Sequence, residues 1–135
     1  MQKMNDAELD NKLREILRWH VGKERAITRW QLVRDVFGVD VPQHLQNDDN
    51  KEDRFIREAV SRLRRNGLLI CDLGNGAGRY IAANEAEFWE LYQYYAKPLK
   101  VRAETLRAMK RSAGQQWPNV LQPSLFAFDE AELSV

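Results

Sequence analysis

Cysteine is nearly absent from this 135-residue chain, with Cys71 its one thiol. A single thiol cannot close an intramolecular disulfide, and with no CxxC partner it does not begin a structural zinc site. Histidine is almost as scarce. His20 and His44 have neither metal-ligand spacing nor a partnered nucleophile, so they read as a helix-end residue and a loop residue. No apolar run approaches the roughly 18 residues that a membrane helix needs, and Met1 to Asp10 is polar and mixed in charge, unlike a signal peptide. The expectation is a cytoplasmic protein away from the membrane, with no metal, no cofactor, no catalytic residues and no enzymatic activity.

Excess charge is lacking too: 21 basic and 20 acidic side chains leave a net +1. The two signs are nonetheless unevenly spread. Residues 1–50 hold 8 basic and 9 acidic side chains, residues 51–83 hold 7 and 4, residues 84–113 hold 6 and 4, and residues 114–135 hold none and 3. A basic middle and an acidic end suit a body that meets a polyanion and a tail with a different task, although a mixed solvated surface would carry many of the same charges.

What is present suffices for one domain. Hydrophobic residues make up 44% of the chain, among them 5 Phe, 4 Trp and 4 Tyr, and a compact unit usually takes about 100 to 200 residues. Asn5 or Asp6 can cap a first helix whose Leu9, Leu13, Ile16 and Leu17 recur at spacings of three and four, with Gly22 to end it. Thr28 and Gln31 form a T-x-x-Q capping box for a short second helix that buries Leu32, Val33, Val36 and Phe37 and stops at Gly38. Residues 39–50, with Pro42 and a polar run, read as a surface loop.

In the third helix Phe55, Ile56, Ala59, Val60 and Leu63 share one arc, and Asn66 with Gly67 closes it. Two β-prone runs, Leu68 to Leu73 and Arg79 to Ala83, flank a glycine-rich turn and read as a hairpin. Asn84 caps a long helix reaching about Ser112, in which Pro98 predicts a kink or a break. Beyond Gly114 periodicity ends. The fold class expected is therefore mainly α with a small β-hairpin (α+β), with residues 1–113 as the domain and residues 114–135 as an extended acidic tail.

Three helices, a hairpin and a further helix follow the order of a winged helix-turn-helix. The chain resembles small winged-helix proteins common in phages and prophages, through Arg54 to Leu63 (RFIREAVSRL), Arg65 to Ile70 (RNGLLI) and Gly78 to Ala82 (GRYIA). The resemblance covers residues 9 to 110 and implies binding of double-stranded DNA through the third helix and the wing. The family's usual link before the third helix is shorter than the one here.

The residues themselves support that expectation. With the apolar arc inward, Arg54, Arg57, Ser61, Arg64 and Arg65 fall on the opposite side of the third helix, with Arg62 at the flank. Guanidinium groups bind phosphates and read guanine in the major groove. A solvated helix laced by pairs such as Arg54 with Glu58 is the bland alternative. Asp49, Glu52 and Asp53 crowd the helix start, where recognition helices usually meet bases, and read as capping and dipole compensation. Arg79, at the hairpin base, is placed either to reach a phosphate or a narrow minor groove, or as a plain strand residue.

Gly74 to Gly78 is a turn, since no Lys-Ser or Lys-Thr and no helix follows. Cys71 reads as inert. Trp19, Trp30, Trp89, Tyr92, Tyr94 and Tyr95 read as packing or a subunit contact, and the apolar seam of the last helix suggests a homodimer. Gln122-Pro123-Ser124-Leu125-Phe126 resembles the Q-x-x-L-F peptide by which bacterial replication and repair proteins dock on the sliding clamp. That resemblance implies Leu125 and Phe126 as apolar anchors and Gln122 as a polar contact. The other reading folds Leu121, Leu125, Phe126 and Phe128 back onto the domain's own core. A rival to DNA binding is a protein-interaction adaptor that uses the same surface and a dimerising last helix.

Overall fold

Asn5 starts the first helix by accepting the Glu8 amide at 2.8 Å, and α1 (Asp6–Leu17) then carries Leu9, Leu13 and Leu17 on one buried side. The computed structural model describes residues 4–121 apart from residue 75. The chain divides into two compact units, Met1–Leu91 and Tyr92–Val135. It is mainly helical, with one two-stranded antiparallel sheet among the described residues, an α+β chain.

In the first unit α1 stops well before Gly22, and a 3-10 turn, Lys23–Arg25, leads onward. Both halves of the Thr28–Gln31 capping box form at the start of α2 (Arg29–Phe37), and Gly38 ends it in the left-handed conformation at φ 70°. The expected loop contains a 3-10 turn, Gln43–Leu45. Asn50 then accepts the Asp53 amide at 2.9 Å and opens α3 (Lys51–Arg65). Ile56, Ala59, Val60 and Leu63 are buried and Phe55 half-buried, which is the arc that the spacing predicts. These residues pack with Leu13, Leu17, Leu32, Val33 and Val36 into one core.

β1 (Ile70–Cys71) and β2 (Tyr80–Ile81) pair with Ile70 opposite Ile81 and Cys71 opposite Tyr80. The strands are shorter than the two β-prone runs. Gly74, Gly76 and Gly78 all take positive φ, a conformation that does not extend a ladder. The segment before α2 completes the sheet: Ile27 exchanges both backbone hydrogen bonds with Arg79, at 2.9 and 2.8 Å, and Gly22 and His20 bond to Ile81. Cys71, Tyr80 and Leu91 form a second small cluster.

Asn84 accepts the Glu87 amide at 2.9 Å, and the Glu87 carboxylate takes the amides of Ala83 and Lys23. This fixes the start of α4 (Glu85–Gln116). Of the kink or break expected at Pro98, the break is absent: the helix runs through the proline. One missing N–H removes a single bond from a long run of helix formers, and its neighbours carry the helix past it. The helix also passes Gly114, and a 3-10 turn, Pro118–Leu121, follows. Within the second unit Ala96 and Ala103 are buried, whereas Tyr95, Leu99, Leu106 and Met109 are exposed. No helix among the described residues is long and apolar enough to cross a membrane.

Candidate nucleic-acid interface

The outward face of α3 is narrower than the spacing of its arginines implies. Arg54, Arg57, Ser61 and Arg65 are exposed, but Arg64 is half-buried and its Nε donates to the Ile70 carbonyl at 2.8 Å. Arg64 thus buttresses β1, because the helix ends where the chain turns back into the sheet. Arg62 grips Asp10 of α1 with Nε at 3.0 Å and Nη2 at 2.8 Å. Its bond to Asp10 holds the guanidinium charge above its ordinary range despite partial burial.

A second cluster gathers at the start of α3 around Asp53, which is wholly buried. Its Oδ2 lies 2.8 Å from Arg29 Nη2 and 3.2 Å from Arg57 Nε. Arg29 Nη2 also donates to Asp48 Oδ1 at 2.8 Å, and Arg57 Nη2 to the Asp48 carbonyl at 2.7 Å. The Arg29 guanidinium stands 4.8 Å above the Trp30 ring. Burial opposes the Arg29 charge, but the bonds to Asp53 and Asp48 outweigh it and raise the group above its ordinary value. Asp53 is therefore more than compensation for the helix dipole: it ties α2 to α3 through Arg29 and holds Arg57 of its own helix beside that link. Neither Arg29 nor Asp48 stands out in the sequence, since their pairing joins residues far apart in the chain and leaves no periodic trace.

Arg79 is buried at 6% exposure, with Nε 3.2 Å from Asp72 Oδ2. Of the two sequence expectations for Arg79, a reach toward a phosphate or a plain strand residue, neither is excluded: the side chain is buried and its backbone pairs with Ile27. Burial lowers its pKa, and Asp72 and Asp53 offset only part of that. Its Nε and Nη1 have no hydrogen-bond acceptor, so the contact with Asp72 is an ion pair only. A cleft of about 380 Å³ opens here, lined by Arg29, Asp48 and Arg57 together with Asp72, Arg79 and the glycines of the hairpin tip.

The exposed Arg54, Arg57 and Arg65 give this surface guanidinium donors. Cys71 is buried, and burial pushes its thiol above the usual range, which disfavours the reactive thiolate. Among the described residues no group of three His, Cys, Asp or Glu side chains could hold a metal ion. Gln122, Leu125 and Phe126, the peptide resembling a clamp-docking motif, lie outside the described residues. Compared with protein-family models, with curated proteins and with solved structures, the chain finds no match in any of the three.

Proposed function

We propose that this chain is a winged-helix DNA-binding protein of the phage type, with α3 and the hairpin facing duplex DNA. The observation that carries the reading is the pairing of Arg79 with Ile27, which ties the hairpin to the segment leading into α2, as a wing requires. It leaves Arg54, Arg57, Ser61 and Arg65 outward on α3. Phosphate contacts from these arginines release counterions, so affinity for a random duplex falls steeply with salt, by about 0.9 log units per log unit of salt for each phosphate neutralised. A gel-shift titration with duplex and single-stranded DNA at two salt concentrations tests this. Absence of binding, or binding indifferent to salt, overturns it.

A second reading is favoured by one feature of α4: Tyr95, Leu99, Leu106 and Met109 are exposed apolar residues on a single helix. In that reading the protein is an adaptor whose last helix pairs with a second copy, and sedimentation as a monomer at tens of micromolar removes it. Residues 122–126 extend the first reading to replication, as a tether to the sliding clamp.

A further inference from the structure

The cleft beside Arg79 places three guanidiniums, Arg29, Arg57 and Arg79, around one hollow. Against them stand three carboxylates, and their exposures differ greatly. Asp53 is fully buried between Arg29 and Arg57, Asp72 is one-third exposed beside Arg79, and Asp48 is 85% exposed while bonded to Arg29. With all three in place the charges cancel. Asp53 cannot leave without stranding two cations, whereas Asp48 can swing into water at little cost, because an exposed ion pair is weak. Its departure leaves one net positive charge at the cleft, with Arg29 Nη2 still bonded to Asp53 and to the Asn47 carbonyl.

The donors are also in excess. Arg79 Nε and Nη1 and Arg29 Nε are buried without a hydrogen-bond acceptor, against one unmatched buried acceptor in the same cluster, Asp53 Oδ1, and an unsatisfied buried donor is costly. Such donors suit an acceptor-rich anion. Gly74, Gly76 and Gly78 line the same cleft without side chains, which lets a ligand come close to backbone. A tetrahedral oxyanion matches both the charge left by Asp48 and the fork geometry of several guanidiniums.

We propose that this cleft binds a single phosphate group, and that the Asp48 carboxylate is the internal competitor that occupies Arg29 until the phosphate arrives. The inference goes beyond the DNA reading, because a free phosphate and a phosphate of a nucleic-acid backbone present the same oxygens. Burial lowers the pKa of Arg79, and a phosphate beside it compensates that penalty.

The test is a titration of the full-length, ¹⁵N-labelled protein with inorganic phosphate, replacing chloride at constant ionic strength. Signals followed are the arginine Nε–H groups and the amides of Gly74, Gly76 and Gly78. Saturable shifts are expected, and Asp48→Asn, an exposed change that spares the fold, should tighten phosphate by about threefold to tenfold. Non-saturating shifts, or an Asp48→Asn protein with unchanged phosphate affinity, overturn the proposal. A duplex that displaces the phosphate identifies the nucleic-acid backbone as the source. Saturable phosphate binding that a bound duplex leaves untouched identifies a free phosphate, and saturable phosphate binding with no duplex binding at all removes the DNA reading while the cleft stands. If duplex binds but phosphate does not, the cleft falls and the DNA reading survives.

Discussion

A Cβ added to Gly78 would lie 2.3 Å from the carbonyl oxygen of Ile27, with φ at +99°. The hairpin approaches the segment before α2 so closely that only hydrogen fits. Gly78→Ala should destabilise the protein by about 3 kcal/mol or more, through a clash with rigid backbone plus the strain of positive φ. Gly38→Ala, with open space around it at φ +70°, should cost only about 1 to 2 kcal/mol. Urea unfolding midpoints of the two variants check the difference, and equal costs would mean that the hairpin can draw back from Ile27 without penalty.

Asp53 serves two cations, so Asp53→Asn should lower stability by about 3 kcal/mol by stranding Arg29 and Arg57. Arg57→Ala leaves Arg29 on Asp53 and should cost about 1 kcal/mol. The order of the two, read from denaturation curves, is the point of the experiment.

Tyr80 is 1% exposed and burial pushes its hydroxyl up to about 12. The neutral phenol is favoured in the fold, so the stability tied to it is whole below the unfolded value near 10 and is lost as pH rises toward the folded one. That loss amounts to about 2 to 3 kcal/mol. Cys71 adds to it in the same direction, since its thiol is also raised by burial. Tyr80→Phe should flatten the fall in stability between those two pH values, measured by urea unfolding at stepped alkaline pH.

Arg54 and Arg65 are exposed on α3, so Arg54→Ala with Arg65→Ala should weaken duplex binding and reduce the salt slope by about one unit for each phosphate no longer neutralised. Unfolding should not change. Arg64→Ala, by contrast, should lower stability, because it removes the bond to the Ile70 carbonyl. If the exposed pair is silent in a gel shift, α3 is not the DNA surface.

For the tail, a synthetic peptide spanning Asn119 to Glu130 should bind the sliding clamp with micromolar affinity, since a short segment buries little surface and must be ordered on docking. Leu125→Ala with Phe126→Ala in the full chain should abolish clamp binding and leave both melting temperature and DNA affinity unchanged. A melting temperature several degrees lower assigns these residues to the protein's own core.

The helices are legible in the sequence because most carry two independent signals, an apolar stripe and a cap: Asn5, Thr28 with Gln31, and Asn84 cap as their residue types suggest, whereas at α3 the cap is Asn50 rather than the acidic residues Asp49, Glu52 and Asp53. Charge is less legible. An arginine at a given helical position points outward by periodicity alone, but whether it meets water or an acid depends on what another element brings near. Asp10 captures Arg62 across 52 residues of chain, and Asp53 captures Arg29 across 24. The burial of Arg79 is no more legible, because the fold brings Ile27 against its backbone from far along the chain and no local pattern encodes that pairing.

The sheet also sets an order of events during synthesis. His20, Gly22 and Ile27 lie near the start of the chain, yet their hydrogen-bonding partners are Arg79 and Ile81, on the far side of α2 and α3. A nascent chain that has emerged only as far as Gly67 already holds the apolar faces of α1, α2 and α3, but the edge before α2 is still unpaired. Such distant pairing is slow to form and leaves open edges exposed to other chains meanwhile. A ribosome paused just short of the hairpin thus presents the cell with three helices whose neighbouring strand edge still lacks its partner.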